Sequence, residues 1–191
     1  GKVHLLKILE GQIVTKDVQE EVGYTEEKGR KVFKPDGTYQ KIAAVERHKN
    51  TGKIGVGIVK GFGLRGGAIA SSVSHDSHNL IVIGDNDHDM YLAVQELLRT
   101  QGGYTLVENG QVFDTLPLPI MGLMSDAGYE KVNEKLARMI PKAHEMGIPE
   151  GFDPFITLSF MALPVIPEIR ITPRGVYLTQ EDRMIQSPFD R

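Results

Sequence analysis

From residue 41 onward the chain reads as short β-like runs divided by glycine, and this restricts its fold more than any other feature. Ile42-Ala43-Ala44-Val45, Ile54-Gly55-Val56-Gly57-Ile58-Val59 and Ala68-Ile69-Ala70-Ser71-Ser72-Val73 are the first three runs. The fourth, Leu80-Ile81-Val82-Ile83, is apolar without alternation, the pattern of a strand covered on both faces. Asn50-Thr51-Gly52 predicts a hairpin between the first two runs. Glycine supplies 21 of the 191 residues, well above the usual ~7%.

Two helices interrupt this β pattern. One is predicted over about 87–101, with Asp85, Asn86 or Asp87 as N-cap, an apolar face of Met90, Ala93 or Val94, Leu97 and Leu98, and Gly102-Gly103 as its stop. The other starts near Asp126, capped by Ser125-Asp126, and presents Tyr129, Val132, Leu136, Met139 and Ile140. Pro141 is expected to break or kink it, and Gly147 to end the remainder of the helix. Between the helices, Glu108-Asn109-Gly110 joins Tyr104–Val107 to Gln111–Phe113 as an Asn-Gly hairpin. The last third holds Phe155 to Leu163, Ile169–Ile171 and Val176–Leu178, punctuated by Pro164, Pro167 and Pro173. Paired strands with two main helices between them argue an α+β fold with a mixed, largely antiparallel sheet.

Ahead of this region lies a strand-like stretch, Val3 to Leu9, with Gln12–Thr15 next. Residues 16–40 are polar and short of apolar anchors, so they are expected to be the least ordered part. The division this suggests is a strand plus variable segment over 1–40, a main domain over 41–180 and a tail over 181–191.

Composition removes several function classes. There is no cysteine, which excludes disulfides, thiolate nucleophiles and Cys-ligated zinc, and fits a cytoplasmic setting. A net charge of −3 without a basic stripe argues against nucleic acid. No apolar run reaches 18 residues, so no membrane partner is expected. The length also falls short of an eight-fold β/α (TIM) barrel, which takes about 250 residues.

The sharpest chemical cluster is Ser74-His75-Asp76-Ser77-His78-Asn79, six polar residues between two apolar strands. Imidazole beside carboxylate suits a transition metal, or general acid–base work near neutral pH. The same letters also suit a hairpin in which Asp, Ser and Asn cap their own backbone groups. A Ser-His-Asp triad is not implied, because neighbours on an extended chain point to opposite faces. Gly61-Phe62-Gly63-Leu64-Arg65-Gly66 matches the dinucleotide fingerprint, yet a short β-like run stands where a long helix should. A glycine-rich turn is the better reading. Glu46-Arg47-His48 closes the first run and suits a phosphate or carboxylate, although a solvated strand end explains it as well. In Leu116–Asp126, Met121 and Met124, with Met161 later, read as core or as an adaptable contact surface.

Several of these segments together resemble one family. Lys41–His48, Gly61-Phe62-Gly63, Gly67–Asn79, Leu116–Asp126 and Pro154–Glu168 are similar, in this order, to the C-terminal domain of adenine deaminases, in the amidohydrolase superfamily. The resemblance covers roughly residues 3–180, without the 16–40 stretch. It implies hydrolysis of adenine to hypoxanthine and ammonia in purine salvage by the complete enzyme. It also implies an upstream amidohydrolase barrel as partner, holding a divalent metal (manganese or iron). Without that barrel the domain is expected to expose apolar surface and so to associate as a homo-oligomer. This chain contains no His-x-His pair, so no metal ligand of the barrel transfers to it and no cofactor is expected in it. The domain is expected to be inactive alone and to serve docking and active-site closure, with His75, Asp76, His78 and Asn79 at the active-site mouth. The competing expectations are a non-catalytic oligomerisation domain, or a small metal-binding domain built on His75, Asp76 and His78.

Overall fold

The computed structural model describes residues 2–75 and 77–190. In chain order the first half gives β1 (Lys2–Ile8), β2 (Thr15–Glu21), β3 (Tyr24–Glu27), β4 (Arg30–Phe33), β5 (Tyr39–Val45), β6 (Ile54–Lys60), β7 (Gly67–Ser71) and β8 (Leu80–Gly84). Next come α1 (Asp87–Arg99), β9 (Gly103–Glu108), β10 (Gln111–Pro117), α2 (Tyr129–Glu145) and α3 (Pro154–Phe160). β11 (Ile169–Thr172), β12 (Gly175–Leu178) and β13 (Arg183–Ile185) complete the described chain.

Eight strands form one sheet in the order β10-β9-β7-β8-β5-β6-β1-β2. Every neighbouring pair is antiparallel except β1 with β6. The fold is therefore α+β on a mixed, largely antiparallel sheet, and no barrel closes among the described residues. The predicted hairpins over 50–52 and 108–110 both form, and Asn109 and Gly110 take the positive φ angles, +49° and +79°, that such a turn requires.

The central strands are buried on both faces because period-two side chains alternate between two cores. Ile42, Ala44, Ile69, Ile81, Ile83 and Leu106 point into the larger core, against α2, α3 and the β11–β13 sheet. Ala43, Ala68, Ala70, Leu80, Val82 and Val107 point the other way, under Met90, Ala93 and Leu97 of α1. On that second face Val3, Leu5 and Ile58 pack against Phe33 of β4. Glycine in β6 lets the small sheet close on the large one: a Cβ on Gly55 would lie 1.8 Å from the Thr172 carbonyl oxygen.

Four local expectations need correction. Residues 16–40 are not irregular: β2 pairs along its whole length with β1, and β3 with β4 forms a hairpin. An edge strand needs only one covered face, and ion pairs such as Lys60–Glu20 hold its polar side chains at 2.7 Å. Helix α2 begins after Gly128, while Ser125 Oγ accepts from the Ala127 amide in a turn before it. It also does not break at Pro141 but continues to Glu145, with Met139 and Ala143 buried on either side of the proline. Finally, the apolar run after Phe155 contains a third helix rather than only strand, started by Asp153, whose carboxylate accepts from the Phe155 and Ile156 amides, with Pro154 in its first turn.

One polar residue lies at the heart of the joint between the sheets. Arg170 is 0% exposed and donates to the carbonyls of Ile13, Phe160, Ile166 and Pro167 at 2.7–3.1 Å. Burial lowers its pKa to about 10. No carboxylate pairs with it among the described residues; carbonyl dipoles from three segments take that place.

Candidate functional site

Antiparallel pairing gathers distant loops at one end of the sheet. Val45 pairs with both Ile54 and Leu80, Ser71 with Tyr104, and Gly103 with Pro117. The 46–53 turn, the 72–79 loop, the end of α1 and the 118–126 segment therefore share that end. β1 runs parallel to β6 and so starts there too.

The 72–79 loop is pinned from within and from outside. Ser74 Oγ donates to the Asn79 carbonyl at 2.7 Å, and the His78 amide to the Ser74 carbonyl at 2.8 Å. The His75 amide donates to the Ser159 carbonyl of α3, and the His75 ring stacks on Phe160 with centroids 5.0 Å apart. His78 takes a φ of +51°. That is the left-handed region, costing a non-glycine residue roughly 1–2 kcal/mol. Both imidazoles are half-buried, and His78 Nδ1 has no hydrogen-bond partner among the described residues. Asn79 is 6% exposed, its amide oxygen facing the Arg47 backbone N–H at 3.4 Å. Asp76 lies outside the described residues. Among the described residues no group of three or more His, Asp or Glu side chains converges as a metal cage.

Glu46, Arg47 and His48 flank this loop and divide its work. The Glu46 carboxylate accepts from the amides of His48, Lys49 and Thr51, and these bonds, that from Thr51 first, hold its pKa down at about 2. It caps a turn. His48 Nε2 donates to the Ser77 carbonyl at 2.7 Å. Arg47 Nε donates to the His78 carbonyl at 2.6 Å, and its Nη2 to the Met121 carbonyl at 2.7 Å. Arg47 therefore grips backbone oxygens, not the phosphate or carboxylate its type suggested. Behind it, Ser72 Oγ donates to the Gly122 carbonyl and accepts from the Gly103 amide.

The segment so held displays apolar surface. Met121 is 73% exposed at a φ of +59°, with Met124 and Ile120 exposed beside it. Met161, by contrast, is buried in the larger core. An open cleft of about 410 Å³ adjoins Ser77, lined by Ala162, Pro164, Val165, Ile171 and Thr172.

The dinucleotide-like glycines do not join this site. They lie at the opposite end of the sheet, where Gly66 and Gly67 donate their amides to the Asp85 carboxylate at 2.6 and 3.1 Å. The next element is β7, not a helix, so the turn does not lead into a helix whose N-terminus could hold a pyrophosphate. Sequence reasoning missed Ser72, Ser159 and Phe160 as supports of the histidine loop. For the last two a signal existed, since Asp153-Pro154 announces the helix that carries them.

Comparison with known proteins points to one family. Residues 12–183 match the family model described as adenine deaminase C-terminal domain. The chain is 53% identical over 182 residues to an adenine deaminase of Desulfitobacterium hafniense, covering 95% of this chain and 31% of that protein. It is 54% identical over 146 residues to one from Nitratidesulfovibrio vulgaris, covering 76% of this chain and 25% of that protein. It is 44% identical over 178 residues to one from Bacillus subtilis, covering 92% and 30% respectively. The chain thus spans about three tenths of the relatives' length. With that family model matched over residues 12–183, the chain belongs to the adenine deaminase C-terminal domain family.

Proposed function

We propose that this domain serves a longer enzyme that hydrolyses adenine to hypoxanthine and ammonia, and that it packs on an upstream amidohydrolase barrel with the His75–Asn79 loop at the active-site mouth. The carrying observation is the shared sheet end. The half-buried imidazoles of His75 and His78 lie where β1 begins, so preceding chain enters within about 15–20 Å of them, three or four strand spacings away. Adenine offers accepting ring nitrogens and a donating amine, and imidazole and amide groups answer both. A divalent metal, manganese or iron, belongs with the barrel in this reading, because the described residues here lack a suitable donor set. The exposed Met121 and Met124 surface supports association, both with the barrel and between copies of the enzyme. A cysteine-free chain fits a cytoplasmic setting, and no helix of the described residues is long and apolar enough to cross a membrane.

The test is kinetic and uses the full-length enzyme. His75→Ala and His78→Ala are each expected to lower kcat/KM for adenine by roughly ten- to a thousand-fold, as loss of one transition-state hydrogen bond does. Metal content and thermal midpoint should stay near wild type. Unchanged kinetics in both variants, or losses fully explained by unfolding, would reduce the loop to a capped turn.

A further inference from the structure

We infer that Arg47 is a positioning residue which locks the histidine loop to the methionine-bearing 120–124 turn, so that the two act as one surface; this rests on the reading of the loop as the active-site mouth. The guanidinium spans two segments that are otherwise far apart in sequence. Its Nε reaches the His78 carbonyl and its Nη2 the Met121 carbonyl, across 31 and 74 residues. Both acceptors belong to residues with positive φ, +51° at His78 and +59° at Met121. Such backbone persists only where surrounding contacts over-determine it. The planar fork of arginine supplies divergent donors at fixed angles, which one lysine ammonium on a flexible stem does not reproduce.

The turn is shaped to admit this side chain. A Cβ on Gly122 would stand 2.5 Å from Arg47 Nη2, and Gly122 itself has a φ of +74°. Ser72 holds the same residue from behind through the Gly122 carbonyl at 2.6 Å. Burial lowers the pKa of the half-buried Arg47, yet a guanidinium stays charged through the working pH range. Its hold is therefore insensitive to pH. An arginine placed to catch an anionic ligand would keep its fork open to solvent; here two of its donors are committed to carbonyls of the protein. What it controls is where the His78 ring points relative to the Met121 turn.

The test again uses the full-length enzyme, with kcat, KM, thermal midpoint and metal content measured for Arg47→Ala, Arg47→Lys, Gly122→Ala, His78→Ala and the Arg47→Ala/His78→Ala double variant. A misplacement near 1 Å costs roughly a hundred-fold, so Arg47→Ala is expected to lower kcat/KM by about ten- to a hundred-fold, mostly in kcat. Arg47→Lys is expected to recover only part of this. Gly122→Ala, which evicts the guanidinium without deleting it, is expected to fall in the same direction. The double variant is expected to be little worse than His78→Ala alone, because both changes remove the same placement. If His78→Ala impairs catalysis while folded Arg47→Ala and Arg47→Lys do not, the positioning role is wrong and the loop reading survives. If His75→Ala and His78→Ala are themselves silent, the loop reading fails first and this inference falls with it. Should Arg47→Ala not fold, Arg47→Lys decides: wild-type kcat and KM in that variant overturn the role, and a fall in kcat at unchanged thermal midpoint supports it.

Discussion

At the end of the sheet where β7 begins and β8 stops, polar groups satisfy one another; at the end where β7 stops and β8 begins, they are held in place and left facing outward. In the first set, Asp85 accepts from Gly66 and Gly67, Asn86 caps α1 through the Asp89 amide, and Asp89 accepts from Gly110. In the second, Arg47 and Ser72 bind backbone oxygens, while the His75 and His78 rings and the Met121 side chain stay wholly or partly open to solvent. Both ends are rich in glycine, carboxylate and amide, so residue type alone does not distinguish a structural knot from a site. What distinguishes them is whether hydrogen-bonding capacity has been used up by the fold.

The largest expected contrast is at Asp85. Asp85→Ala leaves two backbone donors without their acceptor, and charged hydrogen bonds contribute about 1.5–3 kcal/mol each. A loss of about 3 kcal/mol is expected in urea unfolding, with the thermal midpoint falling by roughly 6–12 °C. A change under about 0.5 kcal/mol would break the comparison, since the closed end would then not be a knot. At the open end the sign reverses. Met121→Gly removes left-handed strain from an exposed side chain and is expected to raise stability by about 0.5 kcal/mol. A clear destabilisation there would show that the methionine is part of the domain's own packing.

The smallest effect sharpens the boundary between the two behaviours. Glu46 sits at the open end but is itself satisfied, with a pKa near 2 against an ordinary value of 4.5. Because its folded pKa is depressed, its stabilising contribution is complete above pH 4.5 and is lost as pH falls through about 2. In an NMR pH titration its side-chain carboxyl carbon should shift with a midpoint near 2. A midpoint near 4.5 would mean that the 46–51 turn is open in solution.

The sheet and α1 were legible in the sequence for a physical reason. Period-two burial on both faces leaves uninterrupted apolar runs such as Leu80–Ile83, and Asn86 is a standard cap for α1. The 16–40 stretch was not legible, because β2 takes its order from pairing with β1 and from cross-strand ion pairs, which a linear pattern does not contain. Pro141 misled because local propensity was overridden by burial of Met139 and Ala143. The histidine loop announced itself through residue type, whereas its supports did not. Arg47 and His78 are 31 residues apart, and Arg47 and Met121 are 74 apart, so only the strand pairings, β5 with β8 for the first and β7 with β9 and β9 with β10 for the second, reveal that they meet.

The Arg170 staple has a consequence for how the domain is made. Its Nη2 holds the Ile13 carbonyl 157 residues away, and nearby Thr15 donates to Ile169 and bridges to Glu168. Contacts of such sequence separation demand a large loop closure before they give any return, which slows their formation. During synthesis at about 5–20 residues per second, the segment around Ile13 therefore waits roughly 8–30 s for its partner to be polymerised. Until then β2 has only β1 to lean on, and its outer edge stands unprotected in the crowded space beside the ribosome. The last hundred residues thus act on the first twenty as a delayed latch, and shortening the chain before Arg170 should leave a soluble-looking sheet whose first hairpin is prone to capture by another copy of itself.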